Sequence, residues 1–264
     1  MFFDYHMHSN FSKDSKAPME DMIKRSIELG IKEICFTDHM EHNAKGDSTW
    51  VVNYNDYFNE YNLLKEKYQK YISIKIGIEM GLQSHLIERC RKDILENPFD
   101  FVICSQHSID EIDFSKKDFF NSRTQKDAYA KYFVELLNIL NNFNDYSVVG
   151  HLDLIKRYGH YKNILDDNLF NEVIEEILKV VINSGRGIEL NTSCYRYNLP
   201  DLTPSRHILK MYKDLGGEII TTGSDSHSTD QIGYKFEYIY SHLKELGFNY
   251  VCSYDKMKPI FNKI

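Results

Sequence analysis

The stretch Asp4-Tyr5-His6-Met7-His8-Ser9 contains the first sign of both the fold and its site. If residues 2–8 form a strand, side chains alternate between its two faces, and both histidines lie on one face. Two adjacent imidazoles at the carboxyl end of a strand can bind one metal ion from a rigid base. A single His-x-His is weak evidence, because two such histidines can also lie on a solvated surface. The prediction of a metal site therefore depends on further ligands at other strand ends.

The rest of the chain alternates about seven times between strand and helix patterns, without a linker, a low-complexity tract or a long-period repeat. This order is typical of an α/β fold, either a parallel β/α barrel or a doubly wound sheet. A length of 264 residues suits one barrel, so we predict a single domain over residues 1–264. The predicted strands cover 2–8, 31–37, 73–78, 101–104, 146–149, 187–190, 218–222 and 250–252. The predicted helices cover 15–30, 57–71, 84–95, 125–142, 168–184, 204–215 and 234–246, with polar loops after residue 42 through Trp50 and over 108–124.

The composition argues against several classes of protein. The 32 basic and 39 acidic residues give a net charge of −7, which argues against binding nucleic acid through a basic surface. A small anionic substrate is compatible with this charge, since bound metal ions supply local positive charge. There is no secretory leader and no apolar run of the ~18 residues that a membrane helix needs, so we expect a soluble, cytoplasmic protein. Five scattered cysteines without a Cys-x-x-Cys motif predict reduced, mostly buried thiols.

Eight potential metal ligands lie at or just past the ends of predicted strands. They are His6, His8, His39, Glu79, His107, His151, Asp225 and His227. Each has an ordinary alternative: Asp225 could cap a helix, Glu79 could be a solvated loop residue and His151 could be a hydrogen-bonded turn residue. Eight such residues at equivalent points of successive strands are hard to explain by chance. Because the carboxyl ends of barrel strands meet at one mouth, we predict that these side chains bind metal together.

The chemistry of this ligand set indicates the metal. Imidazole and carboxylate ligands without thiolates suit Zn, Mn or Fe(II). The set is too large for one tetrahedral ion, so two or three ions that share a bridging carboxylate are the natural arrangement. Clustered ions of this kind are suited to the hydrolysis of phosphate esters. Asp38 and Asp153, each beside a ligand in the sequence, could orient imidazoles or could cap helices or turns.

The same residues carry a resemblance to a known family. The motifs are His6-Met7-His8, Thr37-Asp38-His39, Glu79 after a strand, His107, Gly150-His151-Leu152-Asp153 and Gly223-Ser224-Asp225-Ser226-His227. In order and over the whole length, they resemble the motif set of the PHP (polymerase and histidinol phosphatase) family. The resemblance implies a distorted (β/α)7 TIM-like barrel that holds three divalent metal ions, of Zn, Fe or Mn.

By position, the resemblance implies three groups of ligands. The first ion would take His6, His8, Glu79 and Asp225, and the second would share Glu79 and add His107 and His151. The third would take His39, His227 and Asp14, which aligns with a position that is a histidine in some branches of the family.

The resemblance also implies a reaction. A hydroxide that bridges two metal ions, with Glu79 among their ligands, would attack phosphorus in line. The third ion and cationic side chains would hold the phosphoryl oxygens. The leaving alkoxide needs a proton, for which His42 and Asp225 are the candidates. His42 could equally donate a hydrogen bond to phosphate, or be an ordinary loop histidine.

Four residues are predicted to bind the substrate in addition to His42. Arg157 and Arg196 follow predicted strands, where a guanidinium could bind phosphate through two hydrogen bonds, although both could be surface arginines. The resemblance favours phosphate binding, and Ser9 could donate a further hydrogen bond. Acidic residues over 110–113, with Glu111 as the predicted contact, could meet a cationic part of the substrate.

The length and the long loop after His107 make the chain most similar to the histidinol-phosphatase branch of the family, which acts on L-histidinol phosphate in histidine biosynthesis. We therefore expect an enzyme with a small phosphate ester as its partner, no nucleic-acid or membrane partner, and a monomeric or small homo-oligomeric state. One alternative is a phosphoesterase of the same family that acts on a nucleotide or sugar phosphate. Another is a non-catalytic metal-binding barrel.

Overall fold

Seven parallel strands form the frame of the molecule, whose computed structural model describes residues 1–42 and 50–264. The strands are β1 (Phe3–Met7), β2 (Glu33–Phe36), β3 (His39–Glu41), β4 (Ser73–Gly81), β5 (Phe101–Ser105), β6 (Ser108–Ile109), β7 (Ile112–Asp113), β8 (Val148–Val149), β9 (Gly187–Asn191), β10 (Ile220–Gly223), β11 (Tyr250–Asp255) and β12 (Lys258–Lys263). The barrel order is β1-β2-β4-β5-β8-β9-β10, and the short β3 pairs with the far part of β4.

The barrel is nearly closed between β10 and β1. Met7 and Ser226 form an isolated parallel bridge, and the Asp225 N–H donates to the His6 carbonyl over 2.7 Å. A distorted (β/α)7 TIM-like barrel is therefore confirmed as the fold, and the doubly wound sheet is excluded. Closure at this point also brings the last barrel strand beside the first, so motifs from both ends of the chain share one mouth.

The helices follow the barrel strands in the order expected of a β/α fold. They are α1 (Met19–Glu28), α2 (Tyr54–Tyr68), α3 (Ile87–Glu96), α4 (Asp118–Asn121), α5 (Gln125–Asn142), α6 (Asn171–Asn183), α7 (Arg206–Asp214) and α8 (Phe236–Glu245). Their apolar faces are buried, as Met19, Met22 and Ile23 of α1 are. Thr124 begins the longest helix, α5, because its side chain accepts the N–H of Asp127. Across the described ranges, no helix is both long enough and apolar enough to cross a membrane.

A small apolar cluster closes the end of the barrel that lies away from the ligands. This amino-end cluster contains Phe3, Tyr5, Cys35, Phe101, Ile103, Val148, Cys252 and Tyr254. Phe3, Phe101 and Val148 are each the first residue of a barrel strand, so the β11–β12 hairpin packs on the amino ends of the strands. The Tyr254 N–H donates to the Tyr5 hydroxyl over 2.7 Å.

Several predicted boundaries were wrong. The strand predicted to end before Glu79 continues to Gly81, so Glu79 lies inside β4, where it is paired in register with His39. Only two residues of the strand predicted over 146–149 are extended. The last predicted strand, 250–252, is the first arm of the β11–β12 hairpin, and its second arm was not predicted.

The polar loop predicted over 108–124 was also wrong. It contains the β6–β7 hairpin and α4, and the rings of Phe114 and Phe119 are fully buried and stack edge to face. Residues 43–49 of the other predicted loop lie outside the described residues. The five cysteines are free and buried, as the composition predicted.

Candidate metal centre

The predicted ligands converge at the carboxyl ends of the barrel strands. The structure brings together His6, His8, Asp14, His39, Glu79, His107, His151, Asp225 and His227. Within this cluster, four overlapping sets of three residues each have ligand atoms within 4.8 Å of one another. All but Asp14 belong to a barrel strand or to the turn that directly follows one, so the parallel sheet itself positions them.

One oxygen of Glu79 faces three imidazoles. Glu79 Oε2 lies 3.2 Å from His6 Nε2, 3.5 Å from His8 Nε2 and 3.0 Å from His39 Nδ1. None of these four atoms, all buried, has a hydrogen-bond partner in the described part of the chain. An unpaired buried polar group costs about 1–3 kcal/mol, so a cluster of four requires an explanation.

The other oxygen of Glu79 faces a second pair of imidazoles. Glu79 Oε1 lies 2.8 Å from His151 Nε2 and 3.2 Å from His107 Nε2, and the Ser105 hydroxyl donates to it over 2.7 Å. The carboxylate therefore stands between two groups of histidines, with one oxygen toward each. This is the placement that a carboxylate bridging two metal ions requires.

Asp225 is the second central carboxylate. Its Oδ1 lies 3.5 Å from His8 Nε2 and 3.7 Å from both His6 Nε2 and His227 Nδ1. The backbone of Asp225 is left-handed, with φ of 54°, and its carbonyl lies 3.0 Å from His227 Nδ1. Burial opposes ionisation of Asp225, but the neighbouring His6, His8 and Arg157 hold the pKa of its carboxyl well below the usual range. Asp225 is therefore available as an anionic ligand.

Asp14 reaches the cluster from the loop after β1. Its Oδ2 lies 3.2 Å from His227 Nε2 and 3.5 Å from His39 Nε2. Burial opposes ionisation of this carboxyl, but hydrogen bonds to the same two imidazoles lower its pKa far below the usual range. The three residues that the resemblance assigned to a third ion therefore lie together.

Contacts on the outer side of two imidazoles determine which nitrogen faces the cluster. His6 Nδ1 lies 2.6 Å from Glu189 Oε1, and His107 Nδ1 contacts Glu41 Oε1. A carboxylate accepts hydrogen bonds only, so each Nδ1 carries a proton, and a metal ion that displaces the proton of Nε2 would meet the nitrogen lone pair on the side of Glu79. A lone pair directed inward is what a metal ion needs from an imidazole.

The spacing of these atoms fits bound divalent ions. Two ligand atoms that each lie about 2.1 Å from a zinc ion, at a tetrahedral angle, are about 3.4 Å apart. The separations around Glu79 Oε2 are 3.0 to 3.5 Å. Burial lowers the pKa of His6, but the charges of Glu189 and Glu79 outweigh it and raise that pKa well above the usual value. The cluster thus has an excess of negative charge that binding of cations would balance.

The cluster opens into a cavity of about 500 Å³. Beyond the ligands, its wall includes His42, Trp50, Gln83, Glu111, Asp113, Lys116, Arg157, Tyr158, Arg196 and Tyr197. A larger cavity of about 750 Å³ lies elsewhere, between Ile31, Tyr71 and Lys75, and its described lining contains neither an imidazole nor a carboxylate. The smaller cavity is therefore the candidate site, because, of the two, it is the one lined by imidazoles and carboxylates.

Both predicted arginines line this cavity. Arg157 Nη2 donates to Asp225 Oδ2 over 3.0 Å and to Ser193 Oγ over 2.6 Å, and its guanidinium lies 4.1 Å above the ring of Tyr197. Arg196 donates to the carbonyls of Ser224 and Asp225 over 2.7 and 2.5 Å. Arg157 is thus held in a fixed orientation beside the candidate ligand Asp225. Arg196 stabilises the left-handed turn that carries Asp225.

His42 also faces the cavity, with a carboxylate behind it. Its Nε2 lies 2.6 Å from Asp93 Oδ2, which also accepts the Tyr54 hydroxyl over 3.1 Å. The other ring nitrogen, Nδ1, is buried and has no hydrogen-bond partner among residues 1–42 and 50–264. His42 is therefore oriented by Asp93 and is not an ordinary exposed loop histidine.

Glu111 lies in a tight turn at the rim of the cavity. It and Asp110 are both left-handed, with φ of 62° and 52°, in the turn between β6 and β7. The Glu111 N–H donates to Gln83 Oε1 over 2.8 Å, which fixes the turn against the wall of the cavity. Glu111 and Asp113 line the cavity, whereas Asp110 pairs with Lys131 over 3.0 Å.

Two predicted residues are directed elsewhere. Ser9 is fully buried and its hydroxyl donates to Asp38 over 2.8 Å, so the structure does not bring that proton to the cavity. Asp153 accepts hydrogen bonds from Lys156 and from the Ser205 N–H. It therefore stabilises the turns around it and orients no imidazole of the described residues.

The side chain of Asp38 reaches a ligand imidazole through a hydroxyl group. The Ser12 hydroxyl donates to Asp38 over 2.7 Å and lies 3.1 Å from His8 Nδ1. Asp38 thus orients the imidazole of His8 indirectly.

Sequence reasoning missed the two carboxylates that contact ligand imidazoles from outside, Glu41 and Glu189. Both lie inside strands, and Glu189 is only 1% exposed. The signal in the sequence was an acidic residue within the apolar run Gly187-Ile188-Glu189-Leu190, where an unpaired charge is too costly to bury.

Fold and site together define the class: a β/α barrel whose carboxyl mouth holds a cluster of histidines and carboxylates that can bind divalent metal ions. The model of the PHP domain family matches residues 4–193. The chain belongs to the PHP domain family, and the resemblance of its motifs is confirmed.

Several relatives within this family are similar over nearly the full length. The chain is 32% identical to a histidinol-phosphatase of Lactococcus lactis subsp. lactis, over 98% of this chain and 97% of that protein. It is also 32% identical to a probable histidinol-phosphatase of Clostridium acetobutylicum, over 90% of this chain and 91% of the relative.

Solved structures agree with the fold. The crystal structure of the Lactococcus lactis histidinol phosphate phosphatase, complexed with zinc, L-histidinol and phosphate, matches with a TM-score of 0.93 and 31% identity, over 98% of both chains. A putative histidinol phosphatase from Listeria monocytogenes matches with a TM-score of 0.78 over 89% of this chain and 99% of its own. At 19% identity, the second match shows the shared fold alone.

Proposed function

We propose that the chain is a metal-dependent phosphomonoesterase that hydrolyses L-histidinol phosphate to L-histidinol and inorganic phosphate. The observation that carries this proposal is one cavity that combines a buried cluster of metal ligands, an oriented arginine and an acidic rim. The Lactococcus lactis relative, with zinc, L-histidinol and phosphate bound, supports the choice of substrate. We place the reaction in the cytoplasm, since five buried free cysteines suit a reducing compartment, and assign it to one barrel domain over residues 1–264.

The ligand cluster would hold three divalent ions of Zn, Fe or Mn. His6, His8, Glu79 and Asp225 would bind the first, Glu79, His107 and His151 the second, and Asp14, His39 and His227 the third. Bound there, such ions supply Lewis acidity that activates water and offsets phosphoryl charge. Glu79 supports this grouping because its two oxygens face different sets of imidazoles.

Arg157 and Arg196 orient the phosphate. The guanidinium of Arg157 is held by Ser193, Asp225 and the ring of Tyr197, so little side-chain entropy is lost when it binds a phosphoryl oxygen. Because it faces the ligand cluster, it can stabilise negative charge that grows on the phosphoryl group. Arg196 contributes by fixing the carbonyl groups of Ser224 and Asp225, and with them the turn that carries the Asp225 carboxylate.

His42 is the stronger candidate for the proton donor to the leaving alkoxide. Both oxygens of Asp225 face cationic groups or donors, which keeps Asp225 an acceptor. His42 has Asp93 at Nε2, so this carboxylate orients the ring and leaves Nδ1 as the nitrogen for contact with the substrate. Nδ1, for which the described residues offer no hydrogen-bond partner, is the atom that would pass a proton to the alkoxide.

The acidic rim would bind the organic part of the substrate. L-Histidinol carries an ammonium group and an imidazole, and Glu111 and Asp113 place carboxylates on the cavity wall. Charge-assisted hydrogen bonds of this kind contribute about 1.5–3 kcal/mol when desolvated. The rim therefore selects a phosphate ester that bears a cation.

The test is phosphate release from L-histidinol phosphate and from a panel of nucleotide monophosphates and sugar phosphates. The protein is loaded with Zn, Mn or Fe(II), and Asp225→Asn, purified identically, controls for contaminating phosphatases. We expect the highest kcat/KM with L-histidinol phosphate. A higher kcat/KM for a nucleotide or sugar phosphate would reassign the substrate, and release from no ester by metal-loaded protein would identify a non-catalytic barrel.

A further inference from the structure

Two carboxylates at the metal centre have no place in the ligand groups. Glu189, from β9, lies 2.6 Å from His6 Nδ1 and also accepts the His151 N–H over 2.9 Å. Glu41, from β3, contacts His107 Nδ1. Each contact lies on the side of the imidazole that faces away from Glu79. Both acids therefore touch ligands without being ligands.

We propose that Glu41 and Glu189 are positioning residues that set the affinity of the centre for metal. Each fixes the proton of its imidazole on Nδ1 and holds the ring so that the Nε2 lone pair points inward. This inference rests on the metal centre proposed above, but not on the identity of the substrate. The general precedent is that carboxylate partners of ligand histidines change metal affinity or activity about 10- to 100-fold.

Two strand glycines provide the space that these carboxylates occupy. A Cβ atom built on Gly81 would lie 1.8 Å from Glu41 Oε2, and one on Gly223 would lie 2.1 Å from Glu189 Oε1. Neither glycine has a positive φ, so the backbone would accept another residue. At both positions glycine therefore provides space for a carboxylate and not a special backbone conformation.

Glu189 also links ligands on opposite sides of Glu79. One of its oxygens holds the His6 ring, and the other accepts the backbone N–H of His151 and the side-chain amide of Asn191, over 3.1 Å. A single rigid carboxylate thus sets the separation of two ligands from β1 and from the turn after β8. We expect its loss to affect metal affinity more than the loss of Glu41, for which the described residues give a contact with His107 alone among the ligands.

The alternative is that both acids only stabilise the fold. Asp100 provides the matched control, because it is also a buried carboxylate with several donors, the N–H groups of Ile76 and Lys256 among them, but it lies with the amino-end cluster. Glu41→Gln, Glu189→Gln and Asp100→Asn keep similar volumes and remove one negative charge each. A purely structural role predicts the same outcome for all three.

The experiment measures zinc affinity by competition with a chromogenic chelator, zinc content after dialysis, and the Tm of each metal-free variant. We expect zinc affinity to fall about 10- to 100-fold in Glu41→Gln and Glu189→Gln and to stay unchanged in Asp100→Asn, whose Tm falls. Wild-type zinc affinity in both glutamine variants would overturn the proposal. If Glu189→Gln does not fold, Glu41→Gln decides, since Glu41 is partly exposed.

Gly81→Ala gives an independent check. Its new methyl group would displace the Glu41 carboxylate, so its zinc affinity should fall as far as that of Glu41→Gln. The double variant should then be no worse than either single variant, because both remove one interaction. Additive losses, or no loss in Gly81→Ala, would contradict the role assigned to the glycine. These measurements need no substrate, so they test the role of Glu41 and Glu189 even if the proposed phosphatase activity is not found.

Discussion

The two ends of this barrel are built from the same strands but differ in how their buried polar groups are paired. At the amino ends, aromatic rings pack against the β11–β12 hairpin, and polar atoms such as those of Tyr5 and Tyr254 are paired with each other. At the carboxyl ends, buried nitrogens of His6, His8 and His39 face the carboxylate of Glu79 and have no hydrogen-bond partner in the described ranges. The tyrosine hydroxyls of the amino-end cluster are paired within the protein, whereas the imidazoles at the carboxyl end are left for a ligand.

This difference teaches where stability and function lie in the molecule. Unpaired buried polar atoms and excess buried charge lower the stability of the metal-free fold. The apolar packing at the amino end is independent of metal, so it can offset that cost. Substitutions at the carboxyl end should therefore change metal binding and activity, and substitutions at the amino end should change the free energy of unfolding.

The largest effect should follow loss of a central ligand. His107→Ala removes one of two imidazoles on Glu79 Oε1, and Asp225→Asn removes the charge that faces His6 and His8. We expect kcat to fall by at least about 10²-fold in either variant while the far-UV circular dichroism spectrum stays native, because the barrel packing is untouched. An unchanged kcat in either variant would remove that residue from the site.

A smaller loss is expected at the arginine that faces the cluster. Arg157→Ala should lower kcat/KM about 10²-fold, because it removes a fixed cation near the developing phosphoryl charge. Arg157→Lys should restore only part of this activity, since an ammonium group cannot reproduce the forked geometry. Arg206→Ala, an exposed arginine paired with Asp201, serves as the control and should match the wild-type protein. Equal activity of the two alanine variants would place Arg157 outside the reaction.

The acidic rim should affect substrate choice and not the chemical step. Glu111→Gln should raise the KM for L-histidinol phosphate about 10-fold, which corresponds to roughly 1.4 kcal/mol. The KM for p-nitrophenyl phosphate, an ester without a cationic group, should not change. Asp110→Asn is the control, because Asp110 pairs with Lys131 and not with the cavity. A parallel rise of both KM values in Glu111→Gln would show a general disturbance of the site.

The smallest change in activity is expected at the amino end. The Tyr254 hydroxyl donates to the Ser147 carbonyl over 3.2 Å in the amino-end cluster. Tyr254→Phe should lower the free energy of unfolding by about 1 kcal/mol, the contribution of one buried hydrogen bond, with kcat unchanged. Urea denaturation measures this loss, and Tyr250→Phe, at an exposed position, should show none. A fall in kcat in Tyr254→Phe would mean that the two ends are coupled.

Much of the ligand set could be predicted because strand ends are visible in the sequence. Apolar runs such as 101–104 stop at polar residues, and parallel strands bring those residues to one mouth. Glu189 was missed because it lies inside β9, and Glu41, the last residue of β3, was missed because only the packing of neighbouring strands shows what it faces. The direction of Ser9 also depended on a contact with Asp38, which lies between β2 and β3 and 29 residues further along the chain.

The alternation of barrel strands with helices, the residue types of the candidate ligands and the family of the chain were determined by the amino-acid sequence alone, because periodicity and residue chemistry are local properties. Tertiary structure decided which oxygen of Glu79 faces which imidazole and which carboxylates fix the protons of His6 and His107. Those contacts join residues far apart in the chain, such as His6 and Glu189. Their distances depend on strand register, barrel closure and the space left by two glycines, which no local pattern encodes.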